Sequence, residues 1–262
     1  MSGAYVIIGG TSGLGLSATR KVLAEGGSVV AVGRDDPSLA AACDAVAADG
    51  DDRFHGFVAD AVDPGTADRA VADCVTRFGR FDGLYHVAGG SGRRHGDGPV
   101  HEVTDAGVEY TLSLNLASVI YSNRAAVRCL LERGVGGSVV NMGSVLGSAP
   151  SWRHFSTAVY AAAKAGIEGL TRANAARYAA DDIRFNVVAP ALVDTPMATR
   201  AISDDAIRTF AGTKQPLEGG RVGLPGDLDG VVWLLLSEAG RYITGQTIKV
   251  DGGWSVSEGQ FS

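Results

Sequence analysis

The chain has 262 residues, of which 45% are hydrophobic and 20% charged, and carries a formal charge of −6 at neutral pH. This is ordinary globular composition, long enough to bury the core of one α/β domain. The acid excess leaves no basic footprint for nucleic acid, and no Lys/Arg run marks a membrane surface. Cys43, Cys74 and Cys129 are odd in number and far apart, with no Cys-x-x-Cys, as expected of reduced thiols in a cytoplasmic protein. Met1-Ser2-Gly3 leads directly into an apolar run, without the pattern of a signal peptide. The apolar stretch at 231–236 is far too short to cross a bilayer.

Residues 4–8 are apolar without alternation, as in a strand buried on both faces. Gly9-Gly10-Thr11-Ser12-Gly13-Leu14-Gly15 follows at once, and 16–25 has helical periodicity. A glycine loop between strand and helix lets the backbone approach a pyrophosphate, and the helix N-terminus offers that anion free N–H groups. Gly9, Thr11, Ser12, Gly13, Leu14 and Gly15 are therefore candidate nucleotide contacts, the plain alternative being a βα turn with no ligand. The second strand, 28–32, runs into Gly33-Arg34-Asp35. An acid at the strand end would receive the ribose hydroxyls of NAD. Gly33 stands there instead, and the Arg34 guanidinium can pair with the 2′-phosphate of NADP. NADP(H) is favoured over NAD(H) on this ground; the competing reading has Arg34 solvated or paired with Asp35 or Asp36.

A helix is expected over 39–48 and a third strand over 54–60. Asp60 either accepts from the adenine amino group or caps the helix that runs from 63–64 to 78; Ala61 beside it is counted with the nucleotide contacts. The fourth strand, 83–87, ends in Ala88-Gly89-Gly90, small enough for close approach to a ribose or simply a tight turn. Residues 90–98, with Ser91, Arg93, Arg94 and His95, read as a mobile loop at the carboxyl edge of the sheet, where open α/β folds bind ligands. Its arginines can greet an anionic substrate or stay solvated. A helix expected over 113–133 places Asn115 one turn in, bending the helix around a water or merely exposed.

The fifth strand, Gly137–Met142, closes at Gly143-Ser144. Trp152, Arg153, His154 and Phe155 then crowd a loop, as pocket wall or subunit contact. On the next helix Tyr160 and Lys164 are four positions apart and share one face. A tyrosine has a pKa near ~10, and a fixed cation beside it favours the phenolate, which tunes it as a general acid/base. The sixth strand, 184–189, stops at Pro190. Residues 194–223 lack strong periodicity and read as a substrate loop or lid. A last helix over 227–237 and a seventh strand over 246–250 complete a chain with no repeat or linker, so 1–262 is expected as one domain.

In this order and spacing, Gly9-x-x-x-Gly13-x-Gly15, Asp60, Ala88-Gly89, Asn115, Ser144, Tyr160-x-x-x-Lys164, Pro190 with Thr195, and Asp251-Gly252-Gly253 resemble the short-chain dehydrogenase/reductase family over essentially the whole chain. The resemblance implies a Rossmann-like, doubly wound parallel sheet of about seven strands with helices on both faces. It implies Tyr160 as acid/base, Lys164 lowering its pKa and holding the nicotinamide ribose, Ser144 bonding the substrate oxygen, and Asn115 holding a water that links Lys164 to solvent. Val193 and Thr195 would bind the carboxamide. A homotetramer or dimer is implied as well. The chain departs from the family at Ile8, where Thr is usual, at His86-Val87 in place of Asn-Asn, at Ala191 in place of Gly, and at Ser12, where NADP-preferring members often carry a basic residue.

The expected chemistry is hydride exchange between nicotinamide and a small carbonyl or secondary alcohol, with an NADPH-dependent ketone reductase as the leading reading. Its rivals are an NAD-dependent alcohol or dihydrodiol dehydrogenase and a non-catalytic dinucleotide-binding regulator. No metal site is expected.

Overall fold

Alternate residues of the first apolar run face opposite ways. Ala4, Val6 and Ile8 enter one core, Tyr5 and Ile7 the other. A strand sandwiched in this way has no polar face, which explains the missing alternation. The computed structural model describes residues 3–47 and 51–259, with only the backbone of Asp51.

In chain order the elements are β1 (Ala4–Ile8), α1 (Gly13–Ala24), β2 (Ser28–Gly33), α2 (Asp36–Val46), β3 (Phe54–Val58), α3 (Pro64–Phe78), β4 (Gly83–His86), α4 (Asp105–Leu112), α5 (Ser118–Arg133) and β5 (Gly137–Met142). They continue as α6 (Trp152–Phe155), α7 (Ala158–Tyr178), β6 (Ile183–Pro190), α8 (Thr199–Ser203), α9 (Asp205–Lys214), α10 (Asp229–Leu236) and β7 (Thr247–Val250). Seven strands pair in the order β3-β2-β1-β4-β5-β6-β7, every pairing parallel. Helices α3 and α5 bury Ala67, Ala70, Val71, Cys74, Ala125, Ala126, Val127 and Leu130 against one face; α1 and α10 cover the other with Ala18, Val22, Val232 and Leu235. The order reverses between β1 and β4, and that switch point opens a crevice at the strands' carboxyl ends.

Local chemistry moves several boundaries from their expected places. The second helix begins at Asp36 because the Asp35 carboxylate accepts from Ser38 N at 2.9 Å and Pro37 starts the turn. Residue 48, the end expected for it, lies outside the described residues. The helix expected to start at 113 begins at Asp105, capped by Thr104, and passes through one π-type turn, Ser113–Ala117, into α5. The stretch 194–223 is not an aperiodic loop. Asp204 accepts from Ala206 and Ile207 N–H to start α9, whose Ile207 and Ala211 are buried.

Candidate active site

The glycine loop leaves β1 and turns into α1 so tightly that a Cβ on Gly15 would run into the Gly9 carbonyl oxygen. Side chains close the starts of α2, α3, α4 and α9, those of Asp35, Asp63, Thr104 and Asp204. At α1 the N-cap Ser12 makes no such bond, so its first turn keeps N–H groups for an anion. Thr195 stands across this opening: a Cβ on Gly13 would lie 3.5 Å from the Thr195 Cβ. Val193 is buried and bridges Gly223 beside it. Loop, helix end and Thr195 thus line one end of the crevice together.

At the far end of the crevice Thr11 is buried and shares a hydrogen bond with Ser38, Oγ1 to Oγ 3.1 Å. Gly33 is held against Thr11, where a Cβ would collide with its side chain. Arg34 is exposed. The Asp35 carboxylate, its pairing partner in the competing reading, is engaged by the Ser38 N–H, whose bond holds it below the usual carboxylate range. Asp60 accepts from Val62 N at 3.0 Å and Thr66 Oγ1 donates to its carbonyl at 2.6 Å. It therefore closes the turn ahead of α3 and does not cap that helix, whose cap is Asp63. Ala61 packs against the core beneath.

Ser144 leaves β5 buried, its Oγ accepting from Leu146 N at 3.2 Å. Tyr160 sits in the first turn of α7, half-buried, and Lys164 is buried one turn on, only 2% exposed. Lys164 Nζ donates to Met142 O at 2.9 Å and lies 5.5 Å from the Tyr160 ring centroid. Gly89 brings the fourth strand's end over this group: a Cβ there would lie 3.0 Å from Asn115 Oδ1 and 3.5 Å from Lys164 Nζ. The loop after β4, the π turn and α7 therefore meet at one point.

Asn115 is fully buried, not exposed as one reading allowed. Its Nδ2 donates to Gly90 O at 2.9 Å and Thr111 O at 3.0 Å, and its Oδ1 accepts from Gly90 N at 3.1 Å. The side chain grips the backbone just after Gly89.

Burial pushes the Tyr160 phenol above its ordinary value, and Ser144 offsets part of that rise. Burial likewise lowers Lys164 to about 8. Desolvation is the largest influence on the phenol, while Nζ of Lys164 is directed at the Met142 carbonyl.

Two functional supports escape the sequence pattern. Asp97, buried, accepts from Val159 N at 3.1 Å and Tyr160 N at 2.9 Å, and so caps α7 from 62 and 63 residues away. This ties down 90–98, which the sequence presents as mobile. Its one signal is a lone acid in an arginine-rich loop. His86 is also fully buried; Nε2 faces Ala88 O at 3.2 Å and Nδ1 faces Ser122 Oγ at 2.7 Å.

A family model described as enoyl-(acyl carrier protein) reductase matches residues 9–255. The chain is a short-chain dehydrogenase/reductase. It is 31% identical over 251 residues to the short-chain dehydrogenase/reductase ABA4 of Pyricularia oryzae, covering 95% of this chain and 91% of the relative. It is 32% identical over 254 residues to the cis-4-hydroxycyclohexanecarboxylate dehydrogenase of Sinomonas cyclohexanicum, covering 96% of each. Among solved structures, levodione reductase superposes with a TM-score of 0.87 at 30% identity, over 97% of this chain and 98% of that one. As a short-chain dehydrogenase/reductase the protein is an oxidoreductase that binds a nicotinamide nucleotide and acts on hydroxyl and keto groups. No helix among the described residues is long and apolar enough to cross a membrane.

Proposed function

We propose that the protein is an NADP(H)-dependent reductase of ketones, the chain acting throughout as one dinucleotide-binding catalytic domain in the cytoplasm, as a homo-oligomer. The observation that carries the reading is the meeting of Ser144, Tyr160, Lys164 and Asn115 at one end of a crevice whose other end is the open N-terminus of α1.

Reduced nicotinamide, when bound, supplies the hydride that reaches the carbonyl carbon. Tyr160 donates the proton to the carbonyl oxygen, and Ser144 holds that oxygen by a hydrogen bond. Lys164, a cation below about pH 8, stabilises negative charge left on the Tyr160 oxygen and holds the nicotinamide ribose. Asn115 keeps Gly89 and Gly90 pressed close to Lys164. Gly9, Ser12, Gly13, Leu14 and Gly15 would take the pyrophosphate, Val193 and Thr195 the carboxamide, and Asp60, Ala61, Ala88 and Gly89 the adenine and riboses. Thr11 and Arg34 would line the 2′-phosphate site, where no acid occupies the end of β2. The relatives named above as levodione reductase and a hydroxy-acid dehydrogenase support a keto or hydroxyl substrate for this chain too.

The test is reduced-nicotinamide absorbance with a ketone panel, for the wild type and Tyr160→Phe. Turnover should be faster with NADPH than NADH, and the variant should lose ~10²–10⁴ of it while retaining NADPH binding. Undiminished turnover by Tyr160→Phe removes the assigned acid.

A further inference from the structure

Two guanidinium groups converge on one oxygen at the carboxyl edge of the sheet. Arg93 Nη2 donates to His154 O at 3.0 Å, and Arg200 Nη2 reaches the same oxygen at 3.4 Å. They come from distant parts of the chain, one from the loop after β4 and the other from α8, and meet at α6. Two cations sharing a single neutral acceptor repel each other, and neither forms an ion pair with a carboxylate among the described residues. The carboxylate that most favours Arg93, Asp97, is engaged by the N–H groups of Val159 and Tyr160. Burial, then the charge of Arg200, lowers the proton affinity of Arg93, against an opposing pull from Asp97. The arrangement is half-buried at Arg93 and open to solvent at Arg200, in a molecule whose net charge is −6.

The pair stands on the substrate side of the site. The Asp97 bond to Tyr160 N joins the Arg93 loop to the first turn of α7. His154 packs at a tilt against Phe210, and Phe155 and Phe210 pack edge-on against Trp254. The same cluster contains Val145, which follows Ser144. An apolar wall thus leads from Ser144 to the two arginines.

We propose that Arg93 and Arg200 form an anion site for the substrate, so that the protein prefers ketones and alcohols with a carboxylate (or a comparable oxyanion) beyond an apolar body. This rests on the reading of the site as a keto/hydroxyl oxidoreductase and adds the substrate class. A carboxylate can bridge both guanidinium groups, replacing mutual repulsion with charge-assisted hydrogen bonds.

The experiment compares methyl ketones ending in a carboxylate, from 4-oxopentanoate to 8-oxononanoate, each with its methyl ester. At one or more chain lengths the acid should exceed the ester in kcat/KM by about tenfold or more. The ratio should fall toward one in Arg93→Gln/Arg200→Gln, and part-way in Arg200→Gln, whose exposed position leaves folding intact. Calorimetric titration with octanoate reads the pair without turnover, and its affinity should weaken about tenfold in the double variant. Octanoate binding that depends on the arginines, with no ketone reduced, sinks the ketone-reductase reading and sustains the anion site. Acid-to-ester ratios near one at every length, or ratios and octanoate affinity unchanged in the variants, overturn it.

Discussion

At the end of β2 a carboxylate stands next to Arg34 but is engaged by the backbone: Asp35 receives the Ser38 N–H and starts α2. The guanidinium is left exposed beside buried Thr11, with Gly33 where an acid would bind ribose hydroxyls. Arg34→Asp should therefore shift the ratio of NADP to NAD affinity by about tenfold or more toward NAD, through loss of charge-assisted bonds and gain of repulsion. Fluorescence titration with the two nucleotides measures it, and an unchanged ratio ends the assignment of Arg34. The Tyr160 and Lys164 spacing is equally a one-residue-pair matter, visible in the sequence as four positions on a helix. What the spacing does not carry is the direction of Nζ, which Met142 O decides from the end of β5.

Among the elements, the β1–α1 unit depends on one close approach. A Cβ at position 15 would meet the Gly9 carbonyl, a backbone atom that cannot swing aside. Gly15→Ala should weaken nucleotide binding by tenfold or more and lower the melting temperature, both readable by thermal denaturation with and without NADPH. Normal nucleotide stabilisation in that variant contradicts the seating of the pyrophosphate on this turn. Helix α7 shows a different dependence. Thr157 gives it no side-chain cap, and the cap comes from Asp97 in another loop. The periodicity that announces a helix says nothing of a cap 62 residues away, so 90–98 reads as mobile until the sheet brings the two loops together. Likewise α9 is hard to see in 194–223 because its short buried face, Ile207 and Ala211, packs on Leu192 and Trp254 from elsewhere.

For the molecule as a whole, His86 is a source of acid sensitivity. Burial, and then the Lys164 charge, lowers its pKa from 6.5 to about 3, against a small opposing pull from the Ala88 carbonyl. Above about pH 6.5 the ring is neutral folded and unfolded, and its hydrogen bonds to Ser122 and Ala88 are at no cost in protonation. As pH falls from 6.5 toward 3, the unfolded chain takes up a proton that the folded one resists, so stability is lost with acid, by up to a few kcal/mol. The melting temperature of His86→Asn should fall less steeply between pH 6.5 and 4.5 than that of the wild type. Parallel profiles would show that the ring does not govern this loss.

The sequence alone determined the alternation of strands and helices, the glycine turn and the Tyr160–Lys164 face, because each depends on neighbours within a few residues. It also carried the set of residues that marks a short-chain dehydrogenase/reductase. Only the tertiary structure decided that Asn115 grips Gly90, that Asp97 caps α7, that Lys164 is directed at the Met142 carbonyl, and that Arg93 and Arg200 share one carbonyl. Those facts depend on parallel strands bringing loops from across the chain to one edge, and on how much water each group loses there.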